Sequence, residues 1–150
     1  MNQPRDTLRT HGDWVDVEAG TAARAIFTDE AIWSLEQERI FAKSWLFLAH
    51  ETEIPQPGDY VTRQLGRDPV LVVRGEDGRI RAFHNSCSHR GTQLCRADAG
   101  NARTFRCPYH GWVFGLDGSL KQAAYPPEIA ALVGQAGDNL IPMAKVATYA

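Results

Sequence analysis

Apolar positions fall into two textures along the chain. Between residues 28 and 42, Ile32, Trp33, Leu35 and Ile40 share one arc of a helical wheel at about 100° per residue, which predicts a helix over 29–42 with one apolar face. Thr28 stands where a capping hydroxyl is wanted, and Asp29 and Glu30 fall in the first turn, where the helix dipole favours anions. From residue 45 the runs become short and are broken by Gly, Pro and Asp, as expected of a many-stranded antiparallel domain. Strands are predicted over 45–49, 60–65, 70–74, 80–85, 104–107 and 112–115, with tight two-residue hairpin turns at Asp77-Gly78 and Asp117-Gly118. The first twenty residues show neither period and read as an irregular arm. Residues 123–137, with Pro126 and Pro127, read as a loop with a helical turn after Pro127, and 145–150 as the opening of another strand. No internal repeat or low-complexity segment stands out. The expected fold is mainly β, made of small antiparallel sheets with an N-terminal helix. The arm and helix span 1–42, and the β domain spans 43–150.

Composition narrows the class without changing this picture. With 150 residues, 43% of them apolar and 23% charged, the chain has the make-up of one soluble domain. No run approaches the roughly 18 apolar residues that cross a bilayer, and the start lacks the apolar stretch of a secretory signal, so no membrane is expected and a cytoplasmic location is the default. Cys87, Cys95 and Cys107 are too few, and odd in number, for a disulfide framework, which leaves them as ligands, reactive thiols or core residues. A net charge of −2 speaks against nucleic acid as a partner, yet the charge is uneven. Residues 1–62 hold five Lys/Arg against eleven Asp/Glu, whereas 63–106 hold nine against four. Solvated arginines on strand faces account for such a segment, and so does a basic face for a partner.

The chemistry concentrates in two short stretches. Cys87-Ser88-His89 and Cys107-Pro108-Tyr109-His110 give C-x-H, seventeen intervening residues, then C-x-x-H. Each stretch supplies one thiolate and one imidazole. In the Rieske variety of 2Fe-2S cluster, two histidines replace two cysteines on one iron, so each loop must deliver its Cys to one iron and its His to the other. Pro108 and Gly111 suit a sharp turn beside a crowded inorganic core. A structural zinc site also uses Cys2His2, although zinc patterns pair Cys with Cys and His with His in each loop. Chance clustering of a core Cys with a solvent His is the remaining alternative.

Cys-Ser-His-Arg-Gly over 87–91 and Cys-Pro-Tyr-His-Gly-Trp over 107–112 resemble the two ligand loops of aromatic ring-hydroxylating dioxygenase α subunits. The likeness extends to Phe83-His84-Asn85, Cys95-Arg96-Ala97-Asp98, Gly100-Asn101 and residues 114–118. Upstream it takes in residues 41–45, His50-Glu51-Thr52-Glu53-Ile54-Pro55 and Pro57-Gly58-Asp59-Tyr60, so that residues 28–125 are covered. The resemblance implies a Rieske iron–sulfur domain with Cys87, His89, Cys107 and His110 as cluster ligands. It also implies a ferredoxin or reductase as electron donor, and a homotrimer or α3β3 assembly. Such α subunits continue into a catalytic domain whose mononuclear Fe(II) is held by two His and a carboxylate. His11, His50 and His84 are the only other histidines here and have no such partners, so this chain looks like the front part of the subunit, with the catalytic domain absent.

High-potential Rieske proteins carry an additional disulfide between the loops and hydroxyl donors after the second His. The corresponding places here look like Thr92, Tyr109, Trp112 and Phe114, which supply neither. Fewer hydrogen bonds to sulfur place the cluster toward the low end of the Rieske span of about −150 to +300 mV. Cys95 reads as a small buried hydrophobe, His50 and His84 as structural histidines, and Tyr109 and Trp112 as a lid over the cluster or plain core. A free-standing Rieske ferredoxin is the alternative function, although a compact carrier needs fewer residues than the 86 that precede Cys87.

Overall fold

The computed structural model describes residues 14–123 and 136–149, which fall into two units divided between Trp45 and Leu46. The first opens with a small antiparallel pair, β1 (Val15–Asp16) and β2 (Thr21–Ala22), whose first strand lies in the twenty residues expected to be irregular. A single turn of helix, α1 (Ala25–Thr28), runs straight into α2 (Glu30–Arg39). The cap of α2 is Asp29 and not Thr28: the Asp29 carboxylate accepts from the backbone N–H of Ala31 and Ile32, while Thr28 closes α1. Asp outcompetes Thr here because its charge also answers the helix dipole. On the expected apolar face Ile32 is buried, whereas Trp33 and Ile40 remain exposed. The helix stops at Arg39, and a 3-10 turn, Phe41–Lys43, takes over the end of the expected span.

The second unit holds two sheets. β3 (Asp59–Leu65), β4 (Asp68–Arg74), β5 (Ile80–His84) and β6 (Ala99–Asn101) form an antiparallel sheet in the order β5-β4-β3-β6. β7 (Thr104–Arg106), β8 (Val113–Gly115) and β9 (Leu120–Gln122) form the other. The uninterrupted run Val70-Leu71-Val72-Val73 is buried on both faces of β4, as befits an inner strand. Val70 and Val72 pack with Ile54, Val61 and Ala82 on one side. Leu71 and Val73 pack on the other with Phe83, Phe105, Trp112, Phe114, Leu140 and the cysteines Cys87 and Cys107. This second cluster unites the two sheets.

Three expectations need correction. Residues 45–49 form no strand; Trp45 and Phe47 are exposed, and no segment among the described residues completes a ladder, although Leu48 and Ala49 pack on the smaller core. The turns at Asp77-Gly78 and Asp117-Gly118 have three residues and not two. In each, the N–H of the first Gly (75 or 115) donates to the carbonyl four positions along, and the N–H of the second (78 or 118) folds back onto the first. Gly78 and Gly118 take φ of +76° and +81°, the left-handed position that ends such a loop. The two-residue turn lies instead at Gly66-Arg67, between Leu65 and Asp68, with Gly66 at φ +62°. Residues 145–149 are irregular and exposed, so the expected terminal strand is not there; strand-like pairing occurs earlier, at the bridge between Phe83 and Pro142. The turn expected after Pro127 lies outside the described residues, and no described helix is long and apolar enough to cross a membrane.

Candidate metal centre

The two Cys/His stretches are loops of one design on different sheets. The first follows β5, and the second joins β7 to β8. In the first, the N–H of Cys87 donates to the carbonyl of Thr92 at 2.8 Å and the N–H of Gly91 to the carbonyl of Cys87 at 2.8 Å. In the second, Cys107 donates to Trp112 at 2.7 Å and Gly111 to Cys107 at 3.1 Å. Each loop is therefore closed by its Cys, by a Gly four positions on, and by the carbonyl after that. Gly91 and Gly111 have φ of +72° and +71°, the conformation that makes glycine necessary there. The loops differ in where the imidazole sits: two positions after Cys87, three after Cys107.

Four side chains meet as two pairs. Cys87 and Cys107 are free thiols, each 2% exposed, and belong to the same buried cluster. Burial pushes the Cys87 thiol up, the backbone N–H groups of His89 and Arg90 oppose this by donating toward its sulfur, and the neighbouring Cys107 raises it again. The rings of His89 and His110 are 4.7 Å apart, centre to centre, and nearly edge to face. Burial, then His110 and Arg90, hold His89 below the ordinary imidazole value, which keeps it in the neutral form that binds metal. His110 Nδ1 is buried with no hydrogen-bond partner, an arrangement that costs free energy unless something absent from the polypeptide occupies its lone pair. Among the described residues, no three of His, Cys, Asp and Glu gather around a single ion-sized point. A thiol pair and an imidazole pair on matched loops, with an orphaned ring nitrogen, fit a two-iron group with two protein ligands per iron better than one tetrahedral zinc.

Aromatic rings back both histidines. Trp112, buried at the end of the second loop, stacks on His89 of the first at 4.8 Å and 7°. Tyr109 lies 3.7 Å from the His110 ring centre but is 60% exposed. The two residues expected to act together thus divide: Trp112 is core, and Tyr109 is surface.

Two polar contacts that hold the first loop escaped the sequence reading. Asn85, 1% exposed, donates through Nδ2 to the Cys95 carbonyl (2.7 Å) and accepts through Oδ1 from the Cys95 N–H (2.8 Å), clamping the chain beyond the loop to its root. Ser88 Oγ donates to the carbonyl of Asp138 at 2.6 Å. Asn85 and Ser88 were visible only as residues beside the ligands, because their partners lie far along the chain or are backbone atoms. Cys95 packs against the core and its thiol is pushed up to about 11 by burial, in keeping with a small apolar role. His50 caps the 3-10 turn Glu51–Glu53, its Nδ1 accepting from the Thr52 N–H. In the basic segment, Arg63 pairs with Glu53, and Arg79 and Arg81 pair with Asp77. Arg90, Arg96, Arg103 and Arg106 are exposed and form no ion pair among the described residues.

Two antiparallel sheets on one core, with a thiol and an imidazole on each of two matched loops, define the class of mixed Cys/His iron–sulfur domains. Residues 44–146 match the family described as Rieske 2Fe-2S domain, and the chain belongs to that family. It is 50% identical over 120 residues to the benzene 1,2-dioxygenase α subunit of Pseudomonas putida, covering 80% of this chain and 27% of the relative. Naphthalene 1,2-dioxygenase from Rhodococcus sp., solved with indole bound, superposes with a TM-score of 0.76 at 46% identity, over 86% of this chain and 30% of that one. A quaternary ammonium Rieske monooxygenase solved with L-carnitine superposes at 0.70 with 38% identity, over 79% and 33%. The chain thus spans under a third of the length of these relatives.

Proposed function

We propose that Cys87, His89, Cys107 and His110 hold the 2Fe-2S cluster of this family, and that the chain is the electron-relaying portion of an aromatic ring-hydroxylating dioxygenase large subunit. The observation that carries the ligand assignment is the pairing of thiol with thiol and imidazole with imidazole from loops of identical frame, together with the unpartnered His110 Nδ1. A bound cluster of this kind accepts and returns one electron at a time. The residues around it do the rest. Leu94, Trp112, Phe114 and Leu140 keep water from the cysteines, the N–H groups of His89 and Arg90 favour the thiolate of Cys87, and the half-exposed histidines face outward for exchange.

Identity to aromatic dioxygenase α subunits supports the wider role, since the carnitine-binding relative shares the same domain at lower identity. In that role the electron passes to a mononuclear Fe(II) in a catalytic domain, within a homotrimer or α3β3 assembly. The donor is an acidic ferredoxin or reductase attracted by the exposed arginines Arg90, Arg96, Arg103 and Arg106. Free cysteines suit the reducing cytoplasm as its location. The deciding experiment is electron paramagnetic resonance of the reduced protein. The rhombic low-g signal of mixed His/Cys ligation is expected in the wild type and not in His89→Ala or His110→Ala. Retention of the signal by both variants overturns the ligand assignment. Reduction by the donor slows as salt rises, and a rate indifferent to ionic strength removes the arginine docking.

A further inference from the structure

The matched loops sit on different sheets, so neither sheet alone determines how the first loop stands to the second. Segment 138–143 touches both. Ser88 Oγ, in the middle of the first loop, reaches the Asp138 carbonyl at 2.6 Å across fifty positions of sequence. Asn139 then accepts through Oδ1 from the N–H of Leu120 on β9 at 2.9 Å, and the Leu140 N–H donates to the Gly118 carbonyl in the β8–β9 turn at 2.8 Å. Next the carbonyl of Ile141 accepts from the His84 N–H, and the N–H of Met143 donates to Ala82, both on β5 and both at 2.9 Å. Within six residues the segment laces the root of the first loop to the hairpin that continues from the second. Leu140, 2% exposed, drives it into the core that holds Cys87, Cys107 and Trp112.

We propose that this segment is a strap that positions the first ligand loop against the second through the Ser88–Asp138 hydrogen bond, which makes Ser88 a positioning residue for the cluster; the role rests on the ligand assignment above. The hydroxyl is committed to a backbone carbonyl of the strap, so Ser88 acts through the strap and loosening either anchor has the same consequence. Without the tether, the loop samples more than one placement and the cluster is held less uniformly.

The test uses the full chain with its cluster. Ser88→Ala removes the tether, Ser88→Thr keeps the hydroxyl, and Asn139→Ala frees the strap at its β9 anchor without touching the loop. Ser88→Ala and Asn139→Ala each broaden the resonance of the reduced cluster and speed release of iron to a chelator about fivefold, the factor that one ordinary hydrogen bond carries. The double variant falls short of the product of the two, because both act through one element. Ser88→Thr keeps the narrow resonance. The proposal is overturned if Ser88→Ala changes neither reading, or if Ser88→Ala changes them and Asn139→Ala does not, since the hydroxyl would then act on the cluster directly. Should Ser88→Ala fail to fold, Asn139→Ala decides alone, an unchanged resonance overturning the strap. A failed ligand assignment looks different: the signal survives His89→Ala and His110→Ala whatever Ser88 does.

Discussion

The turn before the first ligand loop and the turn after the second are built on one pattern, yet they are not interchangeable. Gly75-Glu76-Asp77-Gly78-Arg79-Ile80-Arg81 and Gly115-Leu116-Asp117-Gly118-Ser119-Leu120-Lys121 share the same loop hydrogen bonds. In both, the Asp accepts from the backbone N–H two residues on and pairs with a cation four residues on. Surroundings separate them. Glu76 is exposed where Leu116 is buried, and a side chain at Gly78 would meet nothing within 4 Å, whereas one at Gly118 would overlap the Phe83 ring. The first turn is a free hairpin tip. The second is also a packing surface, because the strap and β5 close over it. The ligand loops show the same economy: one backbone frame, with the imidazole moved by one position so that it approaches from each side.

Equivalence of the loops breaks first at the ligands. Cys87→Ser and Cys107→Ser should each abolish the visible absorption of the oxidised protein, because each loop supplies half the protein ligands; a cluster surviving either change would make the loops unequal. Gly118→Ala should destabilise by about 3 kcal/mol in urea unfolding, from left-handed strain plus overpacking against Phe83. Gly78→Ala should cost only about 1 kcal/mol, the conformational part alone. Equal losses at the two glycines would erase the distinction between tip and packing surface.

The smallest effect lies in the turn carboxylates. The Arg81 guanidinium, and then the Arg79 N–H, hold the Asp77 carboxyl well below the ordinary 3.8, and hydrogen bonds from Ser119 lower that of Asp117. A depressed folded-state value contributes stability that is fully present above the ordinary aspartate range and is lost as pH falls through the folded value. Asp77→Asn should therefore be slightly less stable than wild type at neutral pH and converge with it in strong acid. Asp117→Asn should behave alike but more weakly, with Lys121 at 3.5 Å in place of the bidentate Arg81. A gap that stays constant with pH would assign the effect to packing and not to charge.

Legibility in sequence followed the range of the interaction. β3, β4, β5, β7 and β8 announce themselves through apolar runs, and the ligands through residue types that iron–sulfur chemistry requires. β6, Ala99-Gly100-Asn101, has no apolar pattern at all and exists because β3 offers it an edge. The extended look of residues 45–49 misleads for the opposite reason, since no strand edge among the described residues receives them. Asn85 and Ser88 act on backbone atoms of distant or looped segments, which no local pattern encodes. The turn pattern around Asp77 and Asp117 was present in the sequence, but seven residues at forty-residue spacing become a repeat only once the hydrogen bonds coincide.

The closure of each ligand loop on its own cysteine bears on the order of assembly. Both closing bonds span four or five residues, whereas bringing Cys87 to Cys107 closes a stretch of twenty. Loop-closure entropy rises by on the order of 1 kcal/mol between those lengths, so each half-site forms locally before the two are joined. Apolar burial around Leu140 and Phe114 contributes to the joining. The expected route of maturation is therefore capture of the cluster by two ready halves, unlike small zinc modules in which the metal supplies the folding energy.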